Sequence, residues 1–352
     1  MREFWSQRAR GLTPYVPGEQ PRGERLIKLN TNESPYPPAP AALEAIRAAA
    51  DGDLRLYPDP ECTALREALA QAYGLKKEQV FAGNGSDEVL ALCFQAFFDP
   101  GREILFADVT YSFYPVFAQL YGLSYREVPL NDDFSLPLAP FLGNNGGVVI
   151  ANPNAPTGQA VGLDAVRALL EGNPQAVVLV DEAYVDFGAV SAVELVGEYP
   201  NLVVVQTMSK SRALAGLRVG YALADENLIA ALHSVKNSFN SYTLDRLALA
   251  GAVGALSEPD YLRRTAEQIK TTRERTAGAL RAMGFQVGDS AANFLFVSHP
   301  AVAAKTLLDG LRAKGILVRW WDRPRISNHL RITVGTDGEM DALLRALEEL
   351  LP

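Results

Sequence analysis

Lys210 and Arg218 stand eight positions apart in the stretch Thr207-Met208-Ser209-Lys210-Ser211-Arg212-Ala213-Leu214-Ala215-Gly216-Leu217-Arg218, with no acid between them. An apolar run, Leu202-Val203-Val204-Val205, leads in, and a second, Val219 to Ala224, leads out, so the stretch joins two predicted buried strands. A lysine just past the end of a buried strand is placed for covalent chemistry. Its amine condenses with a carbonyl to form a Schiff base when neighbouring cations or partial burial keep enough of it deprotonated. Arg218 offers an always-charged planar fork to a phosphate. Ser209 and Ser211 add hydroxyl donors. Taken alone, the same residues also make an ordinary surface loop with solvated cations.

Other polar clusters share that placement. Val80-Phe81-Ala82-Gly83-Asn84-Gly85-Ser86-Asp87-Glu88 reads as a strand, a glycine turn and a helix start, with Ser86 or Asp87 as the cap of a helix to about Phe98. Such a joint presents free N–H groups and the positive end of a helix dipole, which suits a phosphate, although many joints of this kind are plain turns. Asn152-Pro153-Asn154-Ala155-Pro156-Thr157-Gly158 follows the predicted strand Val148 to Ile150, and Asp181-Glu182-Ala183-Tyr184 follows Val177 to Val180. Continuous apolar strands alternating with helices predict an α/β fold with a mainly parallel sheet covered on both faces. In such sheets ligands sit beyond the carboxyl ends of the strands, where these clusters fall.

The elements that must position them run in order. Residues 1–29 read as a proline-rich arm lying over other structure, with a short strand within Leu26 to Asn30. Helices are predicted at Ala41 to Ala50, at Thr63 to Tyr73 with Gly74 closing the latter, and at Tyr114 to Tyr121. A large unit spans 30–260 and a smaller α+β unit 261–352, divided at a long charged helix from about Tyr261 to Met283. The smaller unit contains predicted strands Phe294 to Val297, Ile316 to Trp320 and Leu330 to Val334.

Composition narrows the function. The 352 residues are 48% hydrophobic, ample for a large core. A net charge of -8 without a basic tract argues against nucleic-acid binding. Two cysteines make no disulfide framework, no Cys/His cluster predicts a metal site, and only three histidines are available for acid–base work. No apolar run reaches membrane-spanning length and no signal-peptide pattern opens the chain, so a cytoplasmic protein is expected.

One ligand uses all these parts. Pyridoxal 5'-phosphate needs an amine, which Lys210 supplies, and a carboxylate at its ring nitrogen, which Asp181 can supply. Its ring hydroxyl needs a donor, from Tyr184 or an asparagine of the Asn152 loop. Its phosphate suits Gly85-Ser86-Asp87 with Ser209 and Arg218, and Tyr111 is placed to lie on the ring face. The alternatives for Asp181 and Tyr111 are a turn cap and core packing. The chain resembles the fold-type I pyridoxal-phosphate aminotransferases along nearly its whole length. The motifs are Asn30-Thr31-Asn32-Glu33, Tyr57-Pro58-Asp59, the Gly83 to Glu88 turn, the Asn152 to Gly158 loop, Asp181-Glu182-Ala183-Tyr184, Ser209-Lys210 to Arg218, and Leu330-Arg331-Ile332-Thr333-Val334-Gly335-Thr336. The first and last of these resemble the histidinol-phosphate aminotransferase branch.

The resemblance implies a seven-stranded-type sheet and roles for individual residues. Lys210 bonds the cofactor, Asp181 holds its ring nitrogen, Tyr184 its hydroxyl, and Tyr111 its ring. Ser209, Arg218 and Gly85-Ser86-Asp87 hold its phosphate. Tyr57 reaches the cofactor of a neighbouring subunit, implying a homodimer. Arg331 grips a carboxylate, and Tyr15, Asn32 and Arg319 help hold the phosphorylated substrate. The implied reactants are histidinol phosphate and 2-oxoglutarate, with glutamate a product. Where the family commonly has asparagine before Pro-Thr-Gly this chain has Ala155, with Asn154 as the nearest substitute. Threonine-phosphate decarboxylation, aromatic amino-acid transamination and non-catalytic ligand binding are the competing functions on the same fold.

Overall fold

The computed structural model describes residues 4–20 and 26–351. Seven apolar segments form the central sheet: β1 (Val80–Asn84), β2 (Ile104–Ala107), β3 (Tyr125–Val128), β4 (Gly147–Ala151), β5 (Val178–Asp181), β6 (Leu202–Thr207) and β7 (Val219–Ala224). Their spatial order is β1-β7-β6-β5-β4-β2-β3. All neighbours pair in parallel except β7, which is antiparallel to both β1 and β6. Side chains of β5 and β6 are buried on both faces, because helices cover the sheet above and below. That double burial is why their sequences are apolar runs rather than alternations. At the edge, β3 carries exposed Arg126 and Glu127, and this polarity hides it from a search for apolar runs.

The antiparallel β7 puts its beginning, at Arg218, beside the carboxyl ends of β1 and β6, with that of β5 one strand further on. Register fixes the neighbours: Asn84 pairs with Val219, Thr207 with Gly220, and Asp181 with Ala151 and Val205. A Cβ on Gly220 would lie 2.3 Å from the Ser86 nitrogen, so only glycine lets β7 pass this close to the helix start. The helix Gly85–Phe97 begins two or three residues earlier than expected. Neither Ser86 nor Asp87 caps it. Asn84 occupies the cap position without a side-chain bond, and Glu88 Oε2 accepts from the Asn84 N–H at 2.6 Å. Ser86 and Asp87 therefore lie in the first turn, beside the free N–H groups.

A second sheet of four strands, ordered Arg319–Trp320, Leu330–Thr333, Phe294–Ser298 and Gln286–Val287, packs with helices Ala304–Ala313 and Asp337–Glu348 around its own core of Leu295, Leu307, Ile332 and Leu343. The expected single strand from Ile316 to Trp320 is two. Ile316–Leu317 pairs in parallel with Ile27–Lys28, and Arg319–Trp320 pairs with Leu330–Thr333. The break at Val318 lets one short segment serve two sheets, and Leu29 is thereby drawn into the second core. The 24-residue helix Pro259–Ala282 touches both parts of the molecule: Ile269 packs with Phe187, and Leu280 belongs to the second core. Residues 12–20 run as an extended strap without helix or strand.

Candidate active site

The carboxyl ends of β4, β5 and β6 open into a cavity of about 290 Å³. Lys210 lies in its wall. The Nζ donates to the Thr31 carbonyl at 3.1 Å and sits 5.7 Å from the Tyr184 ring centre. Burial, with Arg331 nearby, lowers its pKa to about 8. Its amine is therefore partly free near neutral pH, as the covalent reading requires.

Asp181 ends β5 and is 5% exposed. Burial raises its carboxyl to about 6, against hydrogen bonds from the Tyr114 hydroxyl at 2.9 Å and the Ala183 N–H at 3.2 Å. It has no ion-pair partner among the described residues. A cation placed against it would lower this pKa and stabilise both charges, so the carboxylate fits a protonated ring nitrogen. On the other side of the strand end, Glu182 anchors the turn. Its carboxylate accepts from Ala192 N at 2.6 Å, Ser191 Oγ at 2.5 Å and Gln206 Nε2 at 2.8 Å. Gln206 in turn accepts from the hydroxyls of Tyr73 and Tyr221, at 2.6 and 2.9 Å. A satisfied buried network of this kind fixes where Asp181 points.

Ser86, Asp87, Ser209 and Arg218 gather at one end of the cavity. Arg218 contacts Ser209 Oγ at 3.4 Å and Asp87 at 3.1 Å. Its guanidinium lies over Gly85, where a Cβ would come within 2.5 Å of Nη2. Gly85 does not line the cavity; its missing side chain makes room for the arginine. Three residues of the site region, Asn32, Ala213 and Arg218, adopt positive φ of 57°, 56° and 55°. Such strain costs roughly 1 kcal/mol or more per residue and is held where function needs it. The donor set, two hydroxyls, one guanidinium and helix-start N–H groups, fits a phosphate.

Tyr111 and Tyr184 flank this end. The Tyr111 hydroxyl donates to Asp87 at 2.7 Å, and Asn32 Nδ2 donates to the Tyr184 oxygen at 3.0 Å, leaving the Tyr184 proton free to donate. Asn32 is in the wall with both amide atoms occupied, since Oδ1 also accepts from Thr333 Oγ1 at 3.0 Å. It thus orients Tyr184. At the far end, Arg331 donates Nη2 to the Asn30 carbonyl at 2.9 Å, and its buried Nε has no partner among the described residues. Arg319 bonds the strap, through the Val16 carbonyl at 3.1 Å and the Pro17 carbonyl at 3.5 Å. Tyr15, in that strap, stacks on Phe113 at 4.3 Å and leans on Tyr111 at 6.5 Å.

Two expected residues stand apart. Asn154 is outside the cavity, and its amide is occupied by the Val109 carbonyl (2.9 Å), Thr157 Oγ1 (3.0 Å) and Thr110 Oγ1 (2.7 Å). The asparagine role therefore does not pass to it, whereas Ala155 lines the wall. Tyr57 is 81% exposed and stacks on Tyr242 at 4.6 Å. The sequence reading missed Tyr114, the partner of Asp181. It opens the helix Tyr114–Tyr121, after the turn that carries Tyr111, and nothing in its spacing marked it as the partner of Asp181.

An amine of lowered pKa and a buried acid without an ion-pair partner among the described residues lie at the ends of a mainly parallel sheet, and the family model "Aminotransferase class I and II" matches residues 24–347, which makes the chain an aminotransferase. A histidinol-phosphate aminotransferase from Chromohalobacter salexigens is 55% identical over 99% of both chains, and one from Clostridium acetobutylicum is 50% identical over 100% of both. The chain belongs to the histidinol-phosphate aminotransferase family. A solved Sinorhizobium meliloti histidinol-phosphate aminotransferase in complex with pyridoxal-5'-phosphate superposes with a TM-score of 0.90 at 28% identity, covering 99% of this chain and 98% of that one.

Proposed function

We propose that the enzyme transfers the amino group of histidinol phosphate to 2-oxoglutarate, giving imidazole acetol phosphate and glutamate in histidine biosynthesis, with pyridoxal 5'-phosphate bound at Lys210. The carrying observation is one cavity that joins Lys210, near pKa 8, and Asp181 to a separate cation, Arg331, with neither an ion-pair partner for Asp181 nor a hydrogen-bond partner for the Arg331 Nε among the described residues. The full-length relatives named above support the choice of substrates.

The residues divide the work. Ser86, Ser209, Arg218 and the helix-start N–H groups hold the cofactor phosphate. Asp181 keeps a positive charge at the ring nitrogen, and the Tyr184 hydroxyl donates to the ring oxygen. Pyridoxal phosphate, when bound, supplies the electron sink for cleavage at the substrate α-carbon. Lys210 Nζ takes the α-proton and later returns it, which an amine of pKa about 8 does in both directions near neutral pH. Arg331 orients the anionic end of each substrate, and Tyr15 with the strap limits water. Because histidinol phosphate and 2-oxoglutarate are both anionic, one cationic end serves both halves of the reaction.

The test is a coupled assay for glutamate with histidinol phosphate, histidinol and an aromatic amino acid as donors. Histidinol phosphate should exceed histidinol in kcat/KM by about a hundredfold or more, because losing the phosphate leaves the Arg331 guanidinium without its anion. Carbon dioxide release without glutamate would assign the site to decarboxylation, and indifference to the phosphate would assign it to aromatic transamination.

The assembly reading is a homodimer in which Tyr57 serves the neighbouring site. Tyr57 and Tyr242, exposed by 81% and 44%, stack on each other as an aromatic pair that a lone subunit would leave wet. Sedimentation should give a dimer, and a fully active monomer would refute the shared site. The reading also includes an arm (1–29), a large domain (30–260) and a small domain (261–352), in keeping with the separate second core. No described helix is long and apolar enough to cross a membrane. A cytoplasmic setting belongs to the same proposal and agrees with two free thiols, Cys62 and Cys93.

A further inference from the structure

Arg331 and Arg319 share a neighbour. The Trp321 ring centre lies 5.2 Å from the Arg331 guanidinium carbon and 5.3 Å from that of Arg319. A second ring, Phe294, lies 5.3 Å from Arg331. The arginines come from adjacent, directly paired positions of two antiparallel strands, Arg319 opposite Arg331, so their like charges are forced together. Carboxylates would steady them, but only by occupying the N–H groups an anionic substrate needs. An aromatic face within about 6 Å attracts a guanidinium and accepts none of its in-plane N–H bonds. The Arg331 Nε accordingly has no hydrogen-bond partner among the described residues.

The ring is itself held. Trp321 packs on the cluster of Val109, Phe296 and Ile326. Four residues on, Arg325 bonds the Asp108 carboxylate at 2.7 Å and the carbonyls of Leu130 and Asn131 at 3.0 and 2.8 Å, despite a backbone φ of +67°. Asp108 also accepts from the Val109 and Leu130 N–H groups, at 2.9 and 3.0 Å. The loop carrying Trp321 is thus fastened to the end of β2, just before Tyr111.

We propose that Trp321 is a positioning residue whose ring holds Arg331 beside Arg319 while leaving the Arg331 Nε free to donate, and that it thereby sets the affinity for the anionic groups of both substrates. This rests on the assignment of Arg331 as an anion grip. Such a platform acts on ground state and transition state alike, so its loss raises KM and spares kcat.

The experiment compares Trp321→Leu, Trp321→Phe and Arg331→Lys as cofactor-loaded enzymes. The Arg325 tie is intact in all three. Calorimetric titration with glutarate, which has the two carboxylates of 2-oxoglutarate and no keto group, reads affinity without turnover. Trp321→Leu should weaken glutarate and raise the KM for 2-oxoglutarate about tenfold, with kcat within about twofold, while Trp321→Phe stays within about threefold of the parent on both. Wild-type affinity in Trp321→Leu, with Arg331→Lys impaired, overturns the role of Trp321 alone. Equal weakening in the Leu and Phe variants also overturns it, since packing and not the ring face would then matter. Wild-type affinity in Arg331→Lys removes the underlying assignment and the proposal with it.

Discussion

Lys210→Met should abolish turnover, lowering kcat on the order of 10⁴-fold, because one amine both bonds the cofactor and moves the α-proton. The same change should stabilise the cofactor-free protein at pH 7. In the folded chain Lys210 titrates at about 8, below the ordinary lysine value of 10.5. Below pH 8 the buried amine is charged in folded and unfolded chains alike, and the folded state bears the full cost of burying it. Between these values the unfolded chain binds the extra proton, so stability rises with pH across that window. Thermal midpoints should therefore show Lys210→Met ahead of the parent at pH 7, with the gap closing towards pH 10. A variant that is active, or less stable at pH 7, would remove Lys210 from the centre of the site.

Asp181→Ala should lower kcat by about 10²–10³-fold, the effect of deleting a preorganised electrostatic partner in a water-poor site. Asp181→Glu should recover part of it, since the charge returns with one methylene of misplacement. Affinity for the cofactor should carry the same signature. Without a cation against it Asp181 titrates at about 6, raised chiefly by burial. A cationic ring prefers the ionised acid, so cofactor affinity should fall as pH drops through about 6. That dependence should vanish in Asp181→Asn, which stays neutral throughout. Equilibrium dialysis at pH 5, 6 and 7 measures it, and an unchanged pH profile in the variant would mean that another group meets the ring nitrogen.

Much of this arrangement was legible in the chain because the same physics wrote it twice. Strands buried on both faces must be apolar throughout, so β5, β6 and β7 were visible as runs, and their polar ends marked the cavity. Gly74 closed its helix where a left-handed residue, here with φ of 67°, was needed. Features that depend on distant partners were not legible. The edge strand β3 is polar on its open side, and the break at Val318 exists only because two sheets compete for one segment. Asn154 was chosen by nearness in sequence, whereas the loop turns its amide towards Val109 and Thr110. Arg319 was read as a substrate ligand; it lines the cavity, but its tie to the strap carbonyls of Val16 and Pro17 depends on a segment far away in sequence. Tyr114 and Trp321 were not singled out, because their significance lies in which charged group the fold brings beside them.

The central claim is that Lys210 is the residue to which the cofactor is bonded. The direct measurement is reduction of the pyridoxal-phosphate-loaded enzyme with borohydride, followed by peptide mapping by mass spectrometry. The predicted result is one modified peptide per chain, carrying the reduced cofactor on Lys210. Modification of another lysine, such as Lys236, whose amine is held by the carbonyls of Pro60 and Ser241 at 2.6 and 3.2 Å, would contradict the account. So would a protein that binds the cofactor fully and yields no fixed adduct.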